Sequence, residues 1–362
     1  MTASPIAWAD PARASAFHQW LTALAPQHAL LPGSVRLASA DASFRRYFRV
    51  DAAPPAGSNS YIIMDAPPAQ EDCAPFVQVA ALMHEAGLKA PQVLAWDQAL
   101  GFMLLSDLGS QTLLDVIAPP ADVAAIAQPG AGHVELYMDA VDALVRWQLA
   151  SRPGVLPPYD DALLSRELAL FPEWYVGRHR GFALDTGLQD KLDGMFAQIK
   201  ASNLQSLGGA RVYVHRDFMP RNLMVSSTGE LGVLDFQDAV HGPISYDIAS
   251  LMRDAFLSWE EDFVLDITVR YWQKARKAGL PVGDDFGDFY RAVEWMGLQR
   301  HLKVLGIFAR LTLRDGKPKY LADTPRFIKY ARNTAARYRQ LGPLMVLLDE
   351  IEGNETRVGY TF

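Results

Sequence analysis

An α+β fold is predicted, with a small antiparallel sheet and its helices followed by a larger, mostly helical part. Three observations carry this. Five short apolar runs lie before residue 106, at 35–38, 45–50, 61–64, 92–96 and 102–105. From 263 onward the apolar residues recur at helical spacing instead. Between the two regimes, Leu223-Met224-Val225 and 231–234 flank Ser226-Ser227-Thr228-Gly229, a turn composition that makes one hairpin.

Taken in order, 10–24 reads as an amphipathic helix, and the first three apolar runs as strands of the small sheet. In the second strand Phe44, Arg46, Phe48 and Val50 share one face, and Arg45, Tyr47 and Arg49 the other. The segment 74–86 is a helix stopped by Gly87. Two more strands follow, and Ser106-Asp107-Leu108-Gly109 then reads as a connection between a first part at 1–106 and a second at 110–362, with 107–109 as the hinge. Ala118 to Gly132, rich in Ala, Pro and Gly, reads as a flexible surface loop long enough to cover a cleft. Val212-Tyr213-Val214 is a strand, and helices are expected over 250–256, 263–277, 288–313 and 326–341.

Composition narrows the function. Half of the 362 residues are hydrophobic and 21% are charged, which suits a soluble globular protein. A net charge of −7 argues against nucleic acid, since phosphate contacts need a broad basic surface. The absence of a long apolar stretch or signal-peptide core points to a cytoplasmic protein without a membrane partner. The single cysteine, Cys73, excludes an intrachain disulfide and a cysteine zinc cluster, and reads as a small buried hydrophobe.

The chemistry is concentrated in His215-Arg216-Asp217-Phe218-Met219-Pro220-Arg221-Asn222, followed by Leu234-Asp235-Phe236. Asp235 follows Asn222 by thirteen positions, and the hairpin between them brings its two ends side by side. Asn222 and Asp235 are hard oxygen donors suited to Mg2+. Asp217, delivered by the preceding strand, can accept the proton of a substrate hydroxyl. Any one of these residues has an ordinary structural explanation in a turn or core. The joint pattern H-x-D-x-x-x-x-N with D-F at a fixed distance matches the kinase catalytic loop and its metal-binding Asp.

On these residues the chain resembles the aminoglycoside phosphotransferase and choline kinase-like superfamily, small-molecule relatives of the protein kinases. Asp41-Ala42-Ser43-Phe44-Arg45-Arg46-Tyr47-Phe48-Arg49, Met64-Asp65-Ala66-Pro67-Pro68 and Asp235-Phe236-Gln237-Asp238-Ala239-Val240 look most like the anomeric N-acetylmuramate/N-acetylglucosamine kinases of bacterial cell-wall recycling. The resemblance implies a bilobal protein-kinase-like fold and transfer of the ATP γ-phosphoryl group to a sugar hydroxyl. It also implies that His215 and Asp247 support the catalytic loop, Asp247 by accepting its backbone hydrogen bonds. Ser106, Asp107 and Leu108 would meet the adenine edge, and Met224 would close the adenine pocket.

Two departures stand out. The loop 39–43 has no glycine, leaving Ser43 to add a hydroxyl beside the phosphates. Tyr61-Ile62-Ile63-Met64 stands where a protein kinase carries Val-Ala-Ile-Lys, so the phosphate-binding lysine is missing. Arg46, a cation on an apolar strand face, is the expected replacement, with pairing to a nearby carboxylate as the alternative. Loss of transfer, leaving a non-catalytic nucleotide-binding protein, is the competing class.

For the acceptor, Glu173, Arg178, His179, Asp238, Arg300 and His301 are candidates by polarity and position. From Arg300 to Arg339 there are eleven Lys or Arg against only Asp315 and Asp323. That stripe is either a solvated helix face or partly turned toward an anionic substrate group such as a lactyl carboxylate. An amino sugar and an aminoglycoside or choline-type acceptor both stay open, with opposite demands on pocket charge.

Overall fold

Strand alternation in the first part places one row of side chains under a helix, and that row sets the architecture. The computed structural model describes residues 6–8, 10–40, 44–54, 58–118, 125–226 and 230–353. The chain divides into two compact units, 1–111 with 224–238, and 112–223 with 239–362.

In the first unit a five-stranded antiparallel sheet runs in the order β1-β2-β3-β5-β4. Its strands are β1 (Arg36–Ala40), β2 (Arg46–Asp51), β3 (Ser60–Asp65), β4 (Val93–Asp97) and β5 (Phe102–Ser106). Helix α1 (Pro11–His28) is capped by Asp10, whose carboxylate accepts from the Ala12 N–H, with Pro11 at its first position. It drives Phe17 and Leu21 against Phe48, Val50, Ile63, Phe102 and Leu104, all on one sheet face. The register explains the sharing: Phe48 lies opposite Ile63, which lies opposite Leu104. Helix α2 (Ala74–Glu85) follows. Cys73, just before it, is buried, and burial raises its thiol pKa.

Arg46 is on the α1 side of β2, opposite Asp65. Asp65 is fully buried and accepts from both Arg13 and Arg46, while Arg46 also stacks 4.0 Å over Trp8 and Arg13 4.6 Å over Phe102. The pairing expected as the alternative for Arg46 is thus present: a buried carboxylate on the neighbouring strand supplies its counter-charge.

The second unit is largely helical and contains segments for which the sequence raised no expectation. These are α3 (Leu113–Ile117), α4 (His133–Leu149), α5 (Asp161–Leu170) and α6 (Thr186–Gln205). Helix α5 runs into a π-helical segment, Phe171–His179, at Pro172, which has no N–H to donate to the α-helical ladder. Strand β6 (Arg211–Val214) pairs antiparallel with β9 (Val240–Pro243); the hairpin β7 (Leu223–Val225) and β8 (Leu231–Val233) lies between them in sequence and, from residue 224, is counted with the first unit. Helices α7 (Ser245–Met252), α8 (Glu261–Lys277), α9 (Phe286–Leu313), α10 (Thr324–Arg337) and α11 (Gly342–Glu352) complete it.

Three expectations change here. Helix α7 begins at Ser245 rather than 250, which places Asp247 in its first turn. The segment 326–341 is not one helix, because Tyr338 is extended at φ −121° and α11 starts afresh at Gly342. Within the insert, Ala127 bridges Trp259 and Gln128 bonds Glu260, so 127–128 are fastened to the 258–260 segment; residues 119–124 lie outside the described residues.

Helix α9 is buried nearly all round from Ala292 to Gly306, as a helix at the centre of a core must be. Gly306 permits its closest approach, since a Cβ there would lie 2.4 Å from the Leu170 backbone. Replacing Asp65 by Ala leaves Arg13 and Arg46 without their carboxylate, and urea unfolding should show a loss of about 3–5 kcal/mol. A loss under about 1 kcal/mol would mean that the two arginines simply turn to solvent.

Candidate active site

Strand β6 ends at Val214 and the chain turns through His215, Arg216 and Asp217, with Arg216 in the left-handed region at φ 77°. A non-glycine residue holds that conformation only when its surroundings dictate it. Asp247 does so from α7: its two carboxylate oxygens accept the His215 N–H at 2.7 Å and the Arg216 N–H at 2.9 Å. The His215 ring accepts from the Asp217 N–H, and Asn222 donates its Nδ2 to the Asp217 carbonyl at 2.9 Å. Every turn of the loop is thus fixed by a named bond.

Behind the loop lies a buried charge cluster. Glu167 of α5 accepts from Arg216 at 2.5 Å and pairs with Lys303 of α9 at 3.0 Å, and Tyr159 donates to its other oxygen. Burial raises the carboxyl pKa, but Lys303 and Arg216 outweigh it and hold Glu167 at about 2. Lys303 also donates to the Tyr246 hydroxyl. Arg300, only 2% exposed, sits 3.7 Å from the Asp217 carboxylate, which is 35% exposed. Its Nη2 contacts the Met219 sulfur, and Nη1 has no protein partner. Burial would raise the Asp217 pKa, yet Lys303, Arg300 and Arg216 hold it below the ordinary aspartate value. The outcome is an ionised carboxylate at the end of a fixed loop, bathed in positive potential.

The basic stripe is split: Arg300 and Lys303 point inward to Asp217 and Glu167, whereas Arg310 is half-buried and Arg314 exposed. His301 is equally buried, stacks on the Tyr330 ring at 4.9 Å, and has its pKa driven well below the ordinary value by burial, which keeps it neutral. Farther along, Arg332 pairs with Asp349 and Arg337 with Glu261 and Glu294, so distant acids balance the run. Glu173 and Arg178 pair with each other on the π-helical segment, with Arg178 over Trp174 and His179 against Tyr175. Asp238 is exposed.

In the first unit, Asp107 is held by Arg49 at 2.6 Å, by the Ser60 hydroxyl and by the Gly109 N–H. Its side chain thus braces the segment after β5. The Ser106 hydroxyl accepts from the Gln92 N–H. Leu108 and Met224 both crowd Gly232, where an added Cβ would meet them at 2.9 and 3.2 Å. Ser43 lies outside the described residues. Asp235 takes φ 61°, accepts from the Gln237 amide at 2.9 Å, and is followed by Phe236, which packs on Phe76 at 4.9 Å. Asn222 Nδ2 donates to the Asp217 carbonyl, and a side-chain amide oxygen and a carboxylate are each hard donors of the kind that a divalent cation takes.

Residues 34–286 match the phosphotransferase enzyme family. The chain belongs to that family. Among the relatives of this phosphotransferase, a protein of Pseudomonas aeruginosa is 47% identical over 94% of this chain and 97% of its own length, and one of Neisseria meningitidis serogroup B is 47% identical over 95% and 97%. Both are named N-acetylmuramate/N-acetylglucosamine kinase. The choline kinase LicA of Streptococcus pneumoniae shares the fold, with a TM-score of 0.61 at 12% identity over 88% of this chain and 99% of that one. The phosphotransferase is thus an enzyme of α+β, protein-kinase-like fold. None of its described helices is long and apolar enough to cross a membrane.

Sequence reasoning missed Glu167, Tyr159 and Tyr246, which carry no motif. Lys303 was visible only as a member of the basic stripe, three residues from Arg300.

Glu167→Gln leaves Lys303 and Arg216 buried against a neutral amide and should cost about 3–5 kcal/mol in urea unfolding. In the parent protein the stabilisation from Glu167 is complete above its unfolded pKa and is lost as the pH falls from there toward 2.

Asp247 is pushed up to about 7 by burial, against the opposing pull of the two backbone N–H groups; Asp217 adds to the rise and Arg300 resists it. Protonation removes one of its two acceptors, so kcat should fall as the pH drops through about 7. Asp247→Asn should abolish that limb and lower kcat at pH 8 by roughly ten- to a hundredfold. A wild-type profile flat to pH 5 would contradict this.

Proposed function

We propose that the protein phosphorylates the anomeric hydroxyl of N-acetylmuramate and N-acetylglucosamine with ATP, in the recycling of bacterial peptidoglycan. The observation that carries transfer to a hydroxyl is Asp217, half-exposed, ionised and locked in place by Asp247 and Asn222. The names of the relatives at 47% identity support the acceptor.

In this reading Asp217 orients the sugar hydroxyl for in-line attack and takes its proton late in a loose transition state. An anomeric hydroxyl is more acidic than an ordinary alcohol, so a carboxylate of depressed pKa suffices. Asn222 and Asp235 would hold a Mg2+ ion, which spreads the phosphoryl charge when bound. The segment 106–108 and Met224 would receive the adenine, and ATP as donor puts the reaction in the cytoplasm.

The charge around Asp217 bears on the acceptor class. Arg216, Arg300 and Lys303 stand against Glu167, a net positive setting that suits a neutral or anionic sugar and opposes a polycationic aminoglycoside. Arg300 acts through Asp217, since its guanidinium is too buried to touch a sugar. Glu173, Arg178, His179 and Asp238 remain as exposed or half-exposed acceptor contacts.

Purified protein with Mg-ATP should release ADP with N-acetylmuramate and N-acetylglucosamine, yielding the sugar 1-phosphate by NMR, and should leave kanamycin and choline untouched. Asp217→Asn should lower kcat by roughly a thousandfold or more with ATP affinity nearly intact, whereas Asp235→Ala should weaken Mg-ATP binding as well. Equal loss of binding in both variants would overturn this division of roles.

A further inference from the structure

The loop that carries Asp217 also carries an arginine without a counter-charge among the described residues. Arg221 follows Asp217 by four positions and immediately precedes Asn222, in the short 3₁₀ turn Pro220–Asn222. Pro220 and Asn222 are buried in that turn, whereas Arg221 is half-buried. Its guanidinium carbon lies 4.8 Å from the centre of the Phe256 ring, and among the described residues it makes no hydrogen bond and no ion pair. Its neighbours differ. Arg216 in the same loop is bound to Glu167, and Arg253, shortly before Phe256, is bound to Glu261 at 2.8 Å.

The seat beneath Arg221 is itself fixed. The Phe256 N–H donates at 2.6 Å to the buried carboxylate of Asp254, and the ring packs on Phe308 of α9 at 6.4 Å. A guanidinium seated over an aromatic face keeps in-plane N–H donors that the ring does not use, in a fork that matches a planar carboxylate. A cation already partly stripped of water gives up little more when an anion binds it. The surroundings add to the pull, since Arg216, Arg300 and Lys303 stand behind the loop against Glu167 and Asp217.

We propose, resting on the sugar-kinase reading above, that Arg221 binds the carboxylate of an acidic acceptor sugar, the charged group that N-acetylmuramate carries and N-acetylglucosamine lacks. The dimensions agree. The carboxyl carbon of the lactyl ether is six bonds from the anomeric oxygen, about 7 Å when extended at about 1.5 Å per bond. Four residues of chain span at most about 14 Å. A sugar whose anomeric hydroxyl meets Asp217 therefore brings its carboxylate within reach of a side chain as long as that of Arg221.

The test compares kcat and KM of the full-length protein at saturating Mg-ATP for N-acetylmuramate, its carboxyl methyl ester and N-acetylglucosamine, in the parent and in Arg221→Met, Arg221→Lys and Phe256→Leu. In the parent, the ester should have a KM roughly ten- to a hundredfold above that of the acid, as befits the loss of a charge-assisted pair. Arg221→Met should show the same loss with the acid, no further loss with the ester, and a change within about twofold with N-acetylglucosamine. Arg221→Lys should recover part of the affinity for the acid, and Phe256→Leu should lose part of it, both through KM rather than kcat. The proposal is overturned if the parent treats acid and ester alike, or if Arg221→Met weakens all three acceptors equally, which marks a role in holding the loop or in phosphoryl transfer. The acid–ester comparison needs no variant, so it decides the matter even if Arg221→Met does not fold. A parent that phosphorylates neither sugar would refute the underlying reading and the proposal with it.

Discussion

Burying four charges around one loop is the constraint on which the second unit depends. Lys303, Arg216 and Arg300 could not enter that interior without Glu167 and Asp217 to face them. The helices that carry these groups are therefore matched in charge as well as in shape. Helix α9 must be apolar enough to be surrounded and must also deliver two cations from one side, three residues apart. The Asp217 carboxylate is part of the same balance. Its ionised state follows from the cations that surround it, so stability and the proposed chemistry draw on one set of residues.

The first unit solves a smaller version of the problem. A buried aspartate on β3 takes two arginines, one from α1 and one from β2, and thereby staples the helix to the sheet. The opposite face uses Arg49 to brace the chain after β5 and Arg45 to hold the approach to α2. Three consecutive charged or aromatic residues, Arg45, Arg46 and Tyr47, thus face alternate sides with different tasks, an arrangement available only to an extended strand.

Much of this was legible in the sequence, and the reasons differ from element to element. Strands β1 to β5, the hairpin and α2 follow from period-two runs and turn residues, which report local geometry directly. The Asn222-to-Asp235 spacing was legible because the hairpin between them dictates it. Helices α4 to α6 were not legible, because they carry no motif that marks them. Arg46 shows the other limit: alternation assigned its face, but Asp65, nineteen residues away, decided its partner. Glu167 illustrates the same point across a longer span, since a carboxylate on α5 meets a lysine on α9 only once the chain has folded.

The two left-handed residues, Arg216 and Asp235, flank the functional stretch at φ 77° and 61°. Each would be more comfortable as glycine, by about 1 kcal/mol or more. Directed evolution for heat resistance, blind to turnover, would be drawn to these codons among the first and would trade away the partner of Glu167 and a carboxylate proposed as a metal ligand. Under the proposed function, the strained backbone marks where chemistry overrules durability.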